Sequence, residues 1–147
     1  MRFYTDGLIP TEDVSLFRRI RSAVIALPDI PDMSCHILAR AVTITFDILC
    51  IDGCYLGRYL TDAYPHSWNV LPGGNIVDCY PMGVFGGPIL LETQGMSPQR
   101  LLYAADEDIA KREIALIKQY TRPVFGQLVA KTARALTSIL QCNVPLM

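Results

Sequence analysis

Two histidines, five cysteines and one acid-terminated stretch hold most of the reactive chemistry in this 147-residue chain. Residues 66 to 78 read HSWNVLPGGNIVD, so His66 and Asp78 flank a Pro-Gly-Gly turn set between apolar and β-branched residues. Such a hairpin can hold a general base and the acid that orients it, and the chemistry then needs a nucleophile from elsewhere.

The cysteines are Cys35, Cys50, Cys54, Cys79 and Cys142. A cysteine attacks as its thiolate, which the unpaired N–H groups and dipole of a helix N-terminus favour. Ser34 reads as the N-cap of a helix, which puts Cys35 at the first helical position. Cys50 falls towards the C-terminal end of the same predicted helix, where the dipole has the wrong sign. Cys54 and Cys79 fall in strand-like runs and Cys142 in the tail, so position selects Cys35. His36 is a poor base for it, because successive helical side chains point about 100° apart. His66, on a separate strand, is free to approach.

Hairpin parity tests the pairing. If Pro72, Gly73 and Gly74 form a three-residue loop, Leu71 faces Asn75, Trp68 faces Asp78 and His66 faces Tyr80. His66 and Asp78 then share a face as diagonal neighbours, roughly 7–8 Å apart at the backbone. A two-residue loop would slip the register and separate them. By the same alternation Trp68 shares the His66 face, as a wall of the site, a substrate contact or a core plug, while Ser67 and Asn69 point the other way.

A helix opening on cysteine, then His-x-Trp-Asn on one strand, then Asp on the next, resembles the transglutaminase-like branch of the papain-like cysteine enzymes, over roughly residues 34 to 90. Carried over by position, Cys35 resembles the nucleophile, His66 the base and Asp78 the orienting acid. The resemblance implies a papain-like core and a peptidase- or amidase-type hydrolase, or an amine acyltransferase, of the short bacterial or viral kind. Its substrate would be a protein, a peptide or a small amide or thioester, with no cofactor and no metal. The chain shows no acidic calcium loop, has His36 where the family often has tryptophan, and has no Gln or Asn just upstream of Cys35 as an oxyanion donor.

The elements that must position these groups read as one α+β domain over 1–147. TEDVSLFRRIRSAVIAL (11–27) predicts a helix capped by Thr11 or Asp13, with an apolar stripe at Val14, Phe17, Ile20 and Val24. SCHILARAVTITFDILC (34–50) is apolar nearly all round and predicts a central, buried helix, with Asp47 midway along it and Asp52 just beyond, solvated or paired. Runs at 53–60, 66–71, 75–80 and 88–93 predict an antiparallel meander. Helical patterns return from Asp106, with Ile109, Ile114, Leu116 and Ile117 as one apolar set, and again from Pro123. Helices, then strands, then helices make α+β, with helices at both chain ends outside the core. The stripe on the last helix predicts core or a homodimer face.

Thirteen basic residues against fourteen acidic ones, with no long run of one sign, argue against nucleic acid or anionic membrane as partners. No stretch of about 18 apolar residues exists, and the N-terminus lacks an apolar signal core, so the expected compartment is the cytoplasm. Two rival readings remain. One is a non-catalytic interaction module keeping the same fold. The other is a zinc site built from Cys50, Cys54 and Cys79 with His36 or His66, on weak spacing.

Overall fold

A computed structural model describes residues 9–28, 33–56, 64–80, 87–93, 103–120 and 124–142. In chain order these form α1 (Thr11–Ile25), α2 (Cys35–Phe46), β1 (Leu49–Tyr55), β2 (Tyr64–Val70), β3 (Ile76–Asp78), β4 (Ile89–Leu91), β5 (Tyr103–Ala105), α3 (Glu107–Tyr120) and α4 (Phe125–Cys142). The strands make one curled antiparallel sheet in the order β4-β3-β2-β1-β5, so the fold class is α+β. The predicted strand end at 57–60, the glycine-rich 83–86 and Pro123 lie outside the described residues.

Alternation along the strands divides the apolar residues between two faces. Leu71, Val77 and Leu90 join Leu38, Ala41 and Val42 of α2, Phe17, Ile20 and Ala23 of α1, and Ala133 and Leu136 of α4 in the main core. Trp68, Ile76, Ile89 and Leu91 form a second cluster with Ile51, Val70 and Tyr103 on the opposite face. A third, smaller cluster joins Ile37 to Phe125, Leu128 and Val129, with Ile114 and Ile117 of α3 against it. The apolar stripe of α4 is therefore consumed inside the chain.

Four local expectations are corrected. Helix α2 ends at Phe46, not 50, because Asp47 turns left-handed (φ 55°, ψ 50°) and returns its N–H to the Thr43 carbonyl. Aspartate tolerates that conformation, and residues 49–55 pair with β2 instead, with 53–55 also pairing with β5. Cys50 and Asp52 thus belong to β1, and α2 is not buried all round, since Ile44 is 63 % exposed. Helix α1 is not capped by Thr11 or Asp13: its N-cap is Pro10, with no side-chain cap bond. Asp13 is buried instead, accepting from the Gly73 N–H (3.1 Å) and Asn75 Nδ2 (2.9 Å). In α3, Leu116 is exposed while Ile114 and Ile117 pack inward. Strand β5 carries no sequence expectation at all; residues 103–105 close the sheet against β1.

The hairpin register is the expected one. Asn69 pairs with Val77 and Val70 with Ile76, and the Leu71 N–H bonds the Asn75 carbonyl at 2.9 Å. That leaves Pro72, Gly73 and Gly74 as a three-residue loop, with Gly74 at φ 90°, where glycine carries no Cβ penalty. Asn69 ties the pair to the helix: its Nδ2 donates to the Ala39 carbonyl (2.9 Å), to Thr43 Oγ1 (3.1 Å) and to the Leu49 carbonyl (3.2 Å).

Candidate active site

Ser34 caps α2 as expected, its extended backbone (φ −129°) setting Oγ to accept the Ile37 N–H at 3.3 Å. Cys35 is the first helical residue, so its N–H has no acceptor within the helix. The bond between His36 and Ser67 docks this first turn against the centre of β2, one residue from His66.

His66 and Asp78 are fully buried, and His66 Nε2 lies 2.7 Å from Asp78 Oδ2. The same carboxylate oxygen accepts from Tyr103 Oη at 2.6 Å, and its other oxygen accepts the Tyr80 N–H at 3.0 Å. Three donors converge on one buried carboxylate and fix it in place. Rings enclose the imidazole: Tyr55, Trp68 and Tyr103 each stand with centroids 6.2 Å or less from His66 or from one another. Burial, then the Asp78 charge, pushes the Tyr103 hydroxyl to titrate far above its usual value, so it remains a donor.

The electrostatics single out one thiol. Burial alone would raise Cys35, but the His36 and His66 side chains outweigh it and lower the thiol to about 6. Burial likewise opposes charge on His66, yet Asp78 and Cys35 raise it to about 9. Cys50 moves the opposite way, up to about 11, chiefly through burial. Burial also pushes up Cys54 and Cys79. With Nε2 taken by Asp78, His66 has only Nδ1 left, and that nitrogen has no well-aligned partner among the described residues. The coupling of Cys35 to His66 without an aligned bond is the loose geometry common in resting cysteine sites.

Of the site residues anticipated from sequence, His66 and Asp78 are brought into direct contact, and Cys35 stands at the start of α2 with its thiol under the influence of His36 and His66. Trp68 is 3 % exposed and packs its ring against His66 and Tyr103, as a wall. Sequence reasoning missed Tyr103, whose only signal was the short apolar run around it, and gave Ser67 no part in the site. Among the described residues no group of three His, Cys, Asp or Glu side chains is arranged to hold a metal ion. No helix among them is long and apolar enough to cross a membrane.

No family model, curated protein or solved structure matches this chain.

Proposed function

We propose that the chain is a cysteine-dependent acyl-transfer enzyme with a papain-like, transglutaminase-like core. The observation that carries this reading is the meeting of a helix-N-terminal thiol, lowered to about 6, with a buried imidazole whose far nitrogen is held by Asp78 at 2.7 Å. In the resting state the thiol proton sits on His66 Nδ1. The Cys35 thiolate attacks the carbonyl carbon of an amide, ester or thioester, and the oxygen takes up the negative charge near the Cys35 N–H. As the tetrahedral intermediate collapses, the C–N, C–O or C–S bond breaks and Nδ1 delivers its proton to the leaving group. A thioester on Cys35 remains. His66, again neutral, then takes a proton from water or from an amine as either attacks the thioester carbon, and the thiol is restored. Water gives hydrolysis, the preferred outcome here; an amine gives acyl transfer.

Asp78 keeps the Nε2 proton in place, so that Nδ1 faces the sulfur throughout. Trp68 would flank the acyl group from the His66 side. Substrates of this reading are peptides, proteins or small amides and thioesters.

The test uses p-nitrophenyl acetate with the intact chain. The expected result is a stoichiometric burst of nitrophenolate and acetylation of Cys35, found by peptide mass spectrometry and lost in Cys35→Ala. Acetylation spread over several cysteines and lysines, with no burst, would overturn it.

A further inference from the structure

The mechanism above leaves one imidazole beside the nucleophile unused. His36 is 1 % exposed, and its Nδ1 lies 2.6 Å from Ser67 Oγ. Ser67 Oγ in turn donates to Asp52 Oδ1 at 2.6 Å, and Asp52 Oδ2 pairs with Arg40 Nη2 at 2.6 Å. A hydroxyl has one proton, and Ser67 spends its own on the carboxylate. It can therefore only accept from His36, so the His36 Nδ1 carries a proton.

The chain closes on itself through regular structure. Arg40 and His36 are one helical turn apart, and Arg40 Nη1 bonds the His36 carbonyl at 3.1 Å. Ser67 and Asp52 are direct partners in the β1–β2 register. Both strands and the helix thus fix this ring, by a route separate from the Asp78 side.

We infer that His36 is a positioning residue for the nucleophile, its ring held beside Cys35 by the Arg40–Asp52–Ser67 chain so that the thiolate is flanked by two imidazoles, of which only His66 moves a proton. The inference rests on the acyl-transfer reading for the identity of the nucleophile. Among the described residues, His36 from α2 and His66 from β2 act on the Cys35 thiol, with Asp78 behind His66; Cys50 of β1 feels the Cys35 charge in turn, and with it Arg40 of α2 and Asp52 of β1. From α3, Lys118 stands over the Phe125 ring, as Arg40 also does. Ser67→Ala changes no charge among these groups, so its effect reports the hydrogen-bond chain itself.

The experiment follows the rate of Cys35 alkylation by iodoacetamide against pH, read by peptide mass spectrometry, in the wild type, His36→Gln, Ser67→Ala and His66→Ala. His36→Gln is expected to raise the midpoint by about one unit and so to slow alkylation about threefold near pH 6.5, with rates converging above pH 9. Ser67→Ala is expected to move the midpoint the same way by less. Unchanged midpoints in both variants would overturn the inference. Should a variant fail to fold, nitrogen-15 NMR of the wild type decides: a His36 Nδ1 that keeps its proton across the titration supports the chain, and a His36 Nδ1 without a proton overturns it. A wild-type thiol titrating at the ordinary cysteine value would sink the acyl-transfer reading instead. A low wild-type midpoint that responds to His66→Ala but not to His36→Gln would sink only the role of His36.

Discussion

His66 Nε2 and Asp78 Oδ2 meet at 2.7 Å although twelve residues and a chain reversal separate them, and both side chains are wholly buried. Their meeting depends on the three-residue turn at Pro72–Gly74, which sets Trp68 opposite Asp78 and leaves His66 and Asp78 on one face. Deleting Gly73 would shorten the turn to two residues and slip β3 by one position, moving Asp78 to the other face. The variant is expected to lose the preferential alkylation of Cys35. Comparison of labelling at Cys35 and at the exposed Cys142, in protein that still folds, checks this.

Asp78→Asn keeps the shape but removes the charge that holds the Nε2 proton. Turnover of p-nitrophenyl acetate is expected to fall on the order of 10³–10⁴-fold. Tyr103→Phe removes one donor to the same buried carboxylate, so it is expected to cost about 1.5–3 kcal/mol of stability in urea unfolding. Its effect on turnover should be smaller than that of Asp78→Asn, since His66 keeps its partner.

The pH dependence has a definite sign on each side. Cys35 must be ionised, so the rate should rise as pH increases through about 6. His66 must carry the proton that the leaving group takes, so the rate should fall as pH increases through about 9. The two groups interact, and the limbs of the bell belong to the pair. A profile of kcat/KM against pH with a plateau between these limbs is the expected result; a rate still rising above pH 9 would contradict the thiolate–imidazolium pair.

Gly53 faces His66 across β1 and β2, and a Cβ there would stand 2.7 Å from Trp68 Cη2 and against the Ala104 carbonyl oxygen. Gly53→Ala should therefore push the indole towards His66 or part β5 from β1. A loss of about 1–3 kcal/mol in thermal or urea unfolding is expected. Lower turnover at unchanged Cys35 labelling would locate the damage at Trp68 and the substrate side.

How far the residues alone could be read depended on whether the signal was local. The Ser34 cap, the Pro-Gly-Gly loop and the alternation on β2 are decided within a few residues of themselves, and each stands as expected. The end of α2 is not legible locally, because Ile48, Leu49 and Cys50 are apolar enough to continue a helix, and it is the pairing with β2 that draws Leu49 and Cys50 into a strand. Asp13 resembled a helix-capping acid by composition; its partners Gly73 and Asn75 lie sixty residues on and leave no trace near it. Tyr103 and Ser67 were missed for the same reason: what each does is set by a partner on another strand or on α2.

The bond from Asp13 to the Gly73 N–H joins α1 to the very turn that aligns His66 with Asp78. Helix α2 can form from contacts near in sequence, but this clasp must close a loop of about sixty residues first, and such closures are slow. A refolding chain would thus acquire its nucleophile's helix before its base is oriented. Helical circular dichroism should return ahead of turnover, and Asp13→Ala should lengthen that lag while leaving the earlier helical phase in place.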